Sequence, residues 1–468
     1  EYLTQKGEPF TITPYLFLPD KSKHCKTEGL NSLFKLRSEK FSSKIFRAVA
    51  VDIDENFKKD IENEDLLVLV PFYDEVIELQ EEIKLRSTKF LNSLNPLLIN
   101  DQAKLNKGCF SCEDNVSNEE FKDSGFDLCW KDKNEPEHSI NDLYYSGSLG
   151  KKSLGIENLV DYLIEANKLS LYDIPDEFIS DGSRGQRQRI QLEFTQSEEE
   201  YFSKDMTEDL KWTYPLHFID FETATAALPY HKGMSPYEAV AFQWSCHTIR
   251  EPGAEPEHFE WINLNQKFPN FDFARSLKKC IGNKGTVLMW ASHENTILRN
   301  IFNQMGKYNI EDEALKHWLK GIVKFGKEDK SRLIDMNRFT LDHYFHPKMK
   351  GQTSIKKVLP AVLYENSSAR ISRWLAEFDS KFSLLNENDG RITDPYAQLP
   401  SLDIFDGGEK YLKDGGGAMA AYQEILLRLR KNDAESLKAY EKGLLNYCKL
   451  DTLAMVIIWE HWKTSLSI

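Results

Sequence analysis

His217-Phe218-Ile219-Asp220-Phe221-Glu222-Thr223 is the stretch from which the rest of the chain is read. In a strand, residues i and i+2 share a face and lie about 6.6 Å apart along the backbone. Asp220 and Glu222 therefore point the same way, between the bulky apolar residues Ile219 and Phe221. Two neighbouring carboxylates repel, so the pair is stable where a cation sits between them or one stays protonated. Two divalent ions about 3.5 to 4 Å apart are the arrangement in which nucleases use such acids. A solvated polar strand end would carry the same letters without chemistry.

Working outward, Leu216 to Glu222, Glu238 to Ile249 and Glu257 to Leu264 are rich in aromatic and aliphatic residues and separated by Pro or Gly. They read as a three-stranded meander. A helix (Phe271 to Ile281), a short strand (Thr286 to Trp290), a second helix (Glu294 to Phe302) and a strand around Asp335 follow. This alternation predicts an α/β domain over residues 211–468, a mixed sheet flanked by helices. Asp414 is placed to cap a helix beginning after Gly415 to Gly417, and a last helix is expected from Glu435 to Trp462.

Ahead of this domain, residues 1–107 read as a smaller α+β region, with Val76, Leu79, Ile83, Phe90 and Leu94 spaced along one helix face as core. Residues 108–210 read as a cysteine cluster and helical connector with a basic spot at Arg184, Arg187 and Arg189. A length of 468 residues fits about three domains. With 41% hydrophobic and 29% charged residues, the chain can build packed cores. Its net charge of −14 argues against binding nucleic-acid phosphates by overall charge, so any such site must be local. Seven scattered cysteines do not form an extracellular disulfide framework, and a reducing cytoplasmic compartment is the expectation. The longest apolar run, Leu66 to Tyr73, is broken by Pro71 and far short of the roughly 20 residues that span a bilayer. No membrane partner is expected. The chain begins at Glu1, so an upstream domain or a removed leader stays open.

In the last predicted helix Tyr447 and Asp451 are i and i+4, so a phenol and a carboxylate reach one site. Asp-x-Glu on a first strand followed about 230 residues later by Tyr-x-x-x-Asp on a late helix resembles the DnaQ-like, or DEDD, superfamily of 3′-5′ exonucleases, in its tyrosine branch. The strings at 218–223, 236–245, 350–360 and 447–455 are similar to a bacterial domain-of-unknown-function family often found behind a RecB-type nuclease region and a cysteine cluster. This resemblance covers roughly residues 105 to 465. It implies an RNase H-like fold and a two-metal nuclease, most simply a 3′-5′ exonuclease acting on a single-stranded 3′ end of DNA or RNA. Internal cleavage by the same metals is a close variant.

The resemblance also implies roles. Asp220, Glu222, Glu294 and Asp451 would hold two Mg²⁺ or Mn²⁺ ions, and Tyr447 would orient the attacking water or assist its deprotonation. Glu294 stands where the superfamily usually has aspartate, and Asp335 competes for that place. A catalytically silent module, binding nucleic acid or a protein partner within a repair or defence assembly, is the alternative.

Two further segments carry chemistry. Cys109-x2-Cys112-x16-Cys129 has the spacing of a zinc site with Cys25 or His138 as fourth ligand. The resemblance to RecB-type nucleases, whose iron-sulfur cluster takes one upstream and three downstream cysteines, implies an iron-sulfur alternative and puts Cys25 slightly ahead. Cys246, Cys280 and Cys448 read as core residues. The run His346 to Lys357 has four lysines and no acid, so Lys348, Lys350, Lys356 and Lys357 are candidate phosphate contacts, with Ser354 capping the next helix. Glu82-x-Lys84 has the letters of a RecB-type motif but lies within a helical pattern, and is read as chance.

Overall fold

The structure, a computed structural model, describes residues 13–40, 47–53, 55–93, 105–113, 124–130, 133, 136–146, 149–150, 155–326, 329–365, 368–388, 391–400, 402–405, 408–410, 415–431 and 433–468. Its centre is a five-stranded mixed sheet built from β1 (Leu216–Ala224), β2 (Val240–Ile249), β3 (Glu257–Ile262), β4 (Thr286–Met289) and β5 (Leu333–Asp335). The spatial order is β3-β2-β1-β4-β5. β1, β2 and β3 form the expected antiparallel meander, whereas β4 runs parallel to both β1 and β5. The chain thus reverses its direction of growth across β1, and the carboxyl ends of the parallel strands open there, the usual place for a ligand crevice in α/β sheets.

Side-chain alternation along β1 divides two cores. Ile219 and Phe221 face one layer, made by α1 (Asn270–Ile281), α2 (His293–Lys307) and α3 (Glu313–Ile322). In α1 the buried residues Phe271, Ala274, Leu277 and Ile281 recur at three- and four-residue steps, the stripe an amphipathic helix needs. Leu216, Phe218 and Ala224 face the other layer, which holds α4 (Met336–His343), α5 (Ile355–Tyr364), α6 (Ala369–Ala376), α7 (Gly415–Lys431) and α8 (Ala434–Ser465). By the same alternation Asp220 and Glu222 lie on this second face, toward α8.

α8 runs through the protein rather than over it. From Asn446 to Trp462 every residue but Lys449 is buried. Its rotation is set by a polar strip on β2: Gln243 donates to the Leu444 carbonyl at 2.8 Å, and Thr452 Oγ1 lies 2.8 Å from both Ser245 Oγ and His247 Nδ1. Buried polar groups are costly unless paired, so these bonds favour one register of the helix against the sheet.

Several expectations are corrected. The helix Tyr73–Ser93 forms, yet Leu79, Ile83 and Phe90 are 44%, 55% and 64% exposed, while Leu94 lies outside the described residues. The spacing specifies a helix face but not a partner for it. Asp414 also lies outside the described residues, and Gly415 to Gly417 form the first turn of α7 rather than preceding it. Tyr201–Phe202 pairs with Tyr344–Phe345, and Met206 and Leu210 join the α8-side core, so the end of the connector packs with the sheet domain. Among the described residues no helix is long and apolar enough to cross a membrane.

Candidate metal centre

Four carboxylates from three elements lie near enough beside β1 for their charges to act on one another, although among the described residues only Asp220 and Glu222, with Cys448, bring three ligand atoms within 4.8 Å of one another. Asp220 and Glu222 come from the strand, Glu294 from the first turn of α2, and Asp451 from the buried middle of α8. Glu222, Glu294 and Asp451 are 6%, 2% and 8% exposed. Burial is the largest influence on each acid, and it raises all four. The Asp220 carboxyl is pushed up to about 6 and that of Asp451 to about 8, the latter also by the charge of Asp220. Glu222 is driven well above the carboxylate range by burial, then by Asp220 and Asp451, and Glu294 by burial, then chiefly by Asp220.

Local structure explains how Glu294 arrives there. β4 ends at Met289, and Ala291 adopts a left-handed conformation at φ 71° that turns the chain into α2. The Ala291 amide donates to Asp335 Oδ1 at 3.0 Å, and the same oxygen accepts the Arg338 amide at 3.0 Å as the N-cap of α4. Asp335, the competing acid, is therefore engaged in holding the turn that presents Glu294. Glu294 Oε2, by contrast, is buried with no hydrogen-bond partner among the described residues. Asp335→Ala is expected to destabilise the protein by about 1 to 2 kcal/mol, the upper range for a lost N-cap. Thermal or urea unfolding measures it, and an unchanged midpoint would remove Asp335 from this role.

The aromatic side of the centre was only half legible. Tyr447 is buried, and its hydroxyl accepts a 2.6 Å hydrogen bond from Lys356 Nζ. Burial and the neighbouring acids raise the Tyr447 phenol far above its usual range, which favours its protonated, hydrogen-bonding form. Tyr396, which no spacing pointed to, donates to Asp451 Oδ1. The Lys356 ammonium lies 5.4 Å and 5.0 Å from the ring centroids of Tyr396 and Tyr447, and its charge lowers Asp220, Glu222 and Asp451. The only available signal for Tyr396 was its Asp394-Pro395 turn, where Asp394 accepts the Tyr396 amide at 3.0 Å.

Cys448 is buried as expected, but it is more than core. Its thiol donates to Asp220 Oδ2 at 3.2 Å, and Asp220, Glu222 and Cys448 offer ligand atoms within 4.8 Å of one another. Burial and the acids hold this thiol in its neutral form.

Lys356 points into the acidic centre instead of solvent. Lys348 Nζ lies 4.9 Å from the Tyr364 ring centroid, Lys350 is 3.6 Å from Asp142, and Lys357 is exposed. Ser354 occupies the N-cap position of α5, but its side chain makes no capping bond; its carbonyl accepts from Lys357 and Val358 instead. Among the described residues, no three of Cys25, Cys109, Cys112, Cys129 and His138 bring ligand atoms within 4.8 Å of one another. Cys25 is buried with Leu30, Leu33 and Leu66, its thiol donating to the Thr27 carbonyl and pushed up to about 12 by burial. Cys109 packs instead against the core around Ile140 and Leu163. Glu82 pairs with Arg86 one helical turn on, as a surface helix residue does.

Residues 217–354 match the family model described as Domain of unknown function (DUF2779). The DUF2779 match contains Asp220, Glu222 and Glu294 and ends at Ser354, before Lys356, Tyr396, Tyr447 and Asp451. No curated protein matches the chain, and no solved structure matches it.

Proposed function

We propose that this protein is a metal-dependent nuclease that removes nucleotides from the 3′ end of DNA or RNA. The observation that carries the reading is the buried convergence of Asp220, Glu222, Glu294 and Asp451, with one Glu294 oxygen left unpaired. Four raised carboxylates whose charges act on one another are an unfavourable arrangement that divalent cations relieve. Hard oxygen donors suit Mg²⁺ or Mn²⁺, and the neutral Cys448 thiol does not redirect that choice. Such ions, held by Asp220, Glu222, Glu294 and Asp451, would supply charge neutralisation at the phosphoryl group and an acidified water. The order β3-β2-β1-β4-β5, with β2 antiparallel to its neighbours, supports assignment to the RNase H-like sheets, and the late Tyr-x-x-x-Asp supports the tyrosine branch of the DnaQ-like exonucleases.

The chain's own groups divide the remaining work. Tyr447, protonated and held by Lys356, positions the water nucleophile by hydrogen bonding. Tyr396 fixes Asp451. Lys348, Lys350 and Ser354, on the segment leading into α5, and Lys357, in its first turn, supply local contacts to the strand's phosphates in an otherwise acidic protein.

Tyr447→Phe keeps the ring and deletes the hydroxyl. We expect kcat on a 3′-labelled oligonucleotide to fall at least about tenfold, a conservative floor for a group that orients the nucleophile, with the melting temperature nearly unchanged. Activity at the wild-type level would reduce Tyr447 to packing. If wild-type protein with Mn²⁺ binds 3′ ends and leaves them intact, the chain is a binding module instead.

A further inference from the structure

The basic spot at Arg184, Arg187 and Arg189 is not used by the acidic centre. It opens the helix Ser183–Ser197, 15 residues long, whose N-cap is Gly182 and whose first turn has no side-chain cap. Free amides at a helix start favour an anion. That feature alone does not define a site, but a cavity of about 400 Å³ lies against it, and Arg187 lines the cavity while being only 3% exposed.

Arg187 is unusual in what it lacks. Its Nη1 donates to the carbonyls of Thr340, Leu341 and Tyr344, but its Nη2 is buried with no hydrogen-bond partner among the described residues. Burial lowers this guanidinium to about 10, so it remains charged at neutral pH. The acid lining the same cavity, Asp342, is already gripped by Arg338, with Nε to Oδ2 at 2.8 Å and Nη2 to Oδ1 at 2.7 Å. Three arginines and one acid thus line the cavity, in a chain whose net charge is −14.

The cavity wall is built rather than incidental. A Cβ on Gly185 would stand 1.7 Å from the Ser180 carbonyl oxygen, so only glycine lets the loop before the helix fold over its first turn. Arg189 fastens that loop by donating to the carbonyls of Ser180 and Ile179 at 2.9 and 3.1 Å. Tyr144 and Tyr145 also line the cavity, with the Arg184 guanidinium 4.3 Å from the Tyr145 ring centroid. An unpaired guanidinium nitrogen, helix-start amides and arginines match a tetrahedral oxyanion. The volume exceeds what inorganic phosphate needs, and aromatic walls suit a base or sugar.

We propose that this cavity binds the phosphate of a nucleotide, either a free nucleoside monophosphate or the 5′-phosphorylated end of a strand. It shares no residue with the acidic centre and does not depend on the nuclease reading.

Calorimetric titration of the full chain in EDTA, which keeps metal out of the acidic centre, tests this with AMP, adenosine and inorganic phosphate. AMP is expected to bind, phosphate more weakly, and adenosine not at all. Arg184→Ala and Arg338→Ala should each weaken AMP at least about tenfold, the scale of one lost charged hydrogen bond. Arg187→Met should abolish detectable binding, and Asp451→Asn should bind as wild type. Since Arg187→Met removes buried bonds and can unfold the protein, the two other arginine variants decide if it does. Competition by a 5′-phosphorylated but not a 5′-hydroxyl oligonucleotide identifies the strand end as the source; its absence identifies the free nucleotide. No heat from AMP at about 1 mM, the weak end of specific binding, or wild-type affinity in both Arg184→Ala and Arg338→Ala, overturns the proposal.

Discussion

Asp220→Asn and Asp451→Asn are each expected to reduce Mn²⁺-dependent release of nucleotide from a 3′-labelled oligonucleotide by at least about 100-fold, the scale of losing one preorganised electrostatic group at a reacting centre. The substitutions keep side-chain volume, so the fold survives. Asp220 accepts from the Cys448 thiol and from the Phe221 backbone amide, and Asp451 from Tyr396; all three can donate equally to an amide oxygen. The loss therefore reports charge and ligation rather than collapse, and circular dichroism on the same samples separates the two. Cleavage retained within a few-fold in either variant would take that residue out of the mechanism and remove the main support for a nuclease.

The same acids predict an inverted pH dependence in the chelated protein. Asp220 and Asp451 have folded-state values near 6 and 8, both above the ordinary value of 3.8. Between about pH 4 and 8 the native state thus holds protons that the unfolded chain has released, and stability falls as pH rises through that window. Below pH 4 the penalty is absent. In EDTA the wild-type melting temperature should lose several degrees relative to Asp451→Asn between pH 5 and 8.5. Each 1 kcal/mol moves the midpoint of a domain of 150–250 residues by about 2 to 4 °C. Saturating Mn²⁺ at pH 8 should restore the wild type, since a cation at about one hundred times its dissociation constant adds about 2.7 kcal/mol. Asp451→Asn should gain little. Parallel pH profiles in the two proteins, or no Mn²⁺ effect on the wild type, would show that the four acids do not form one charged unit.

How much of the centre could be read from sequence follows from the range of each relation. Asp220 and Glu222 share a face because strands have period two, and Tyr447 and Asp451 share one because helices nearly repeat at four; both rules act within a few residues. Glu294 was reachable because a helix start follows β4. Tyr396 meets Asp451 across 55 residues of chain, through a turn whose letters say where it bends but not where its phenol lands. The basic neighbours of Lys356 in sequence make it a candidate phosphate contact, but α5 turns it toward Tyr447 and leaves Lys357 outside. In the N-terminal region, periodicity identified the helix Tyr73–Ser93, but burial depends on a second surface that no local pattern describes. The cysteine spacing, likewise, states which thiols are close along the chain, whereas Cys25 and Cys109 belong to separate cores.

The hydrogen bonds of Thr452 to Ser245 and His247 carry an implication for how this sequence can vary. Thr452 directly follows Asp451, and the Leu444 carbonyl that accepts from Gln243 lies three residues before Tyr447. Anchors and chemistry are thus interleaved on one helix, like the key and the cam of a single shaft. Each residue advances a helix by about 100°, so an insertion or deletion between Leu444 and Thr452 puts the cam out of phase with the key, whatever residue is gained or lost. Length changes between α7 and α8 leave that phase untouched. Indels in related sequences should therefore collect outside 444–452, even where point substitutions within it are tolerated.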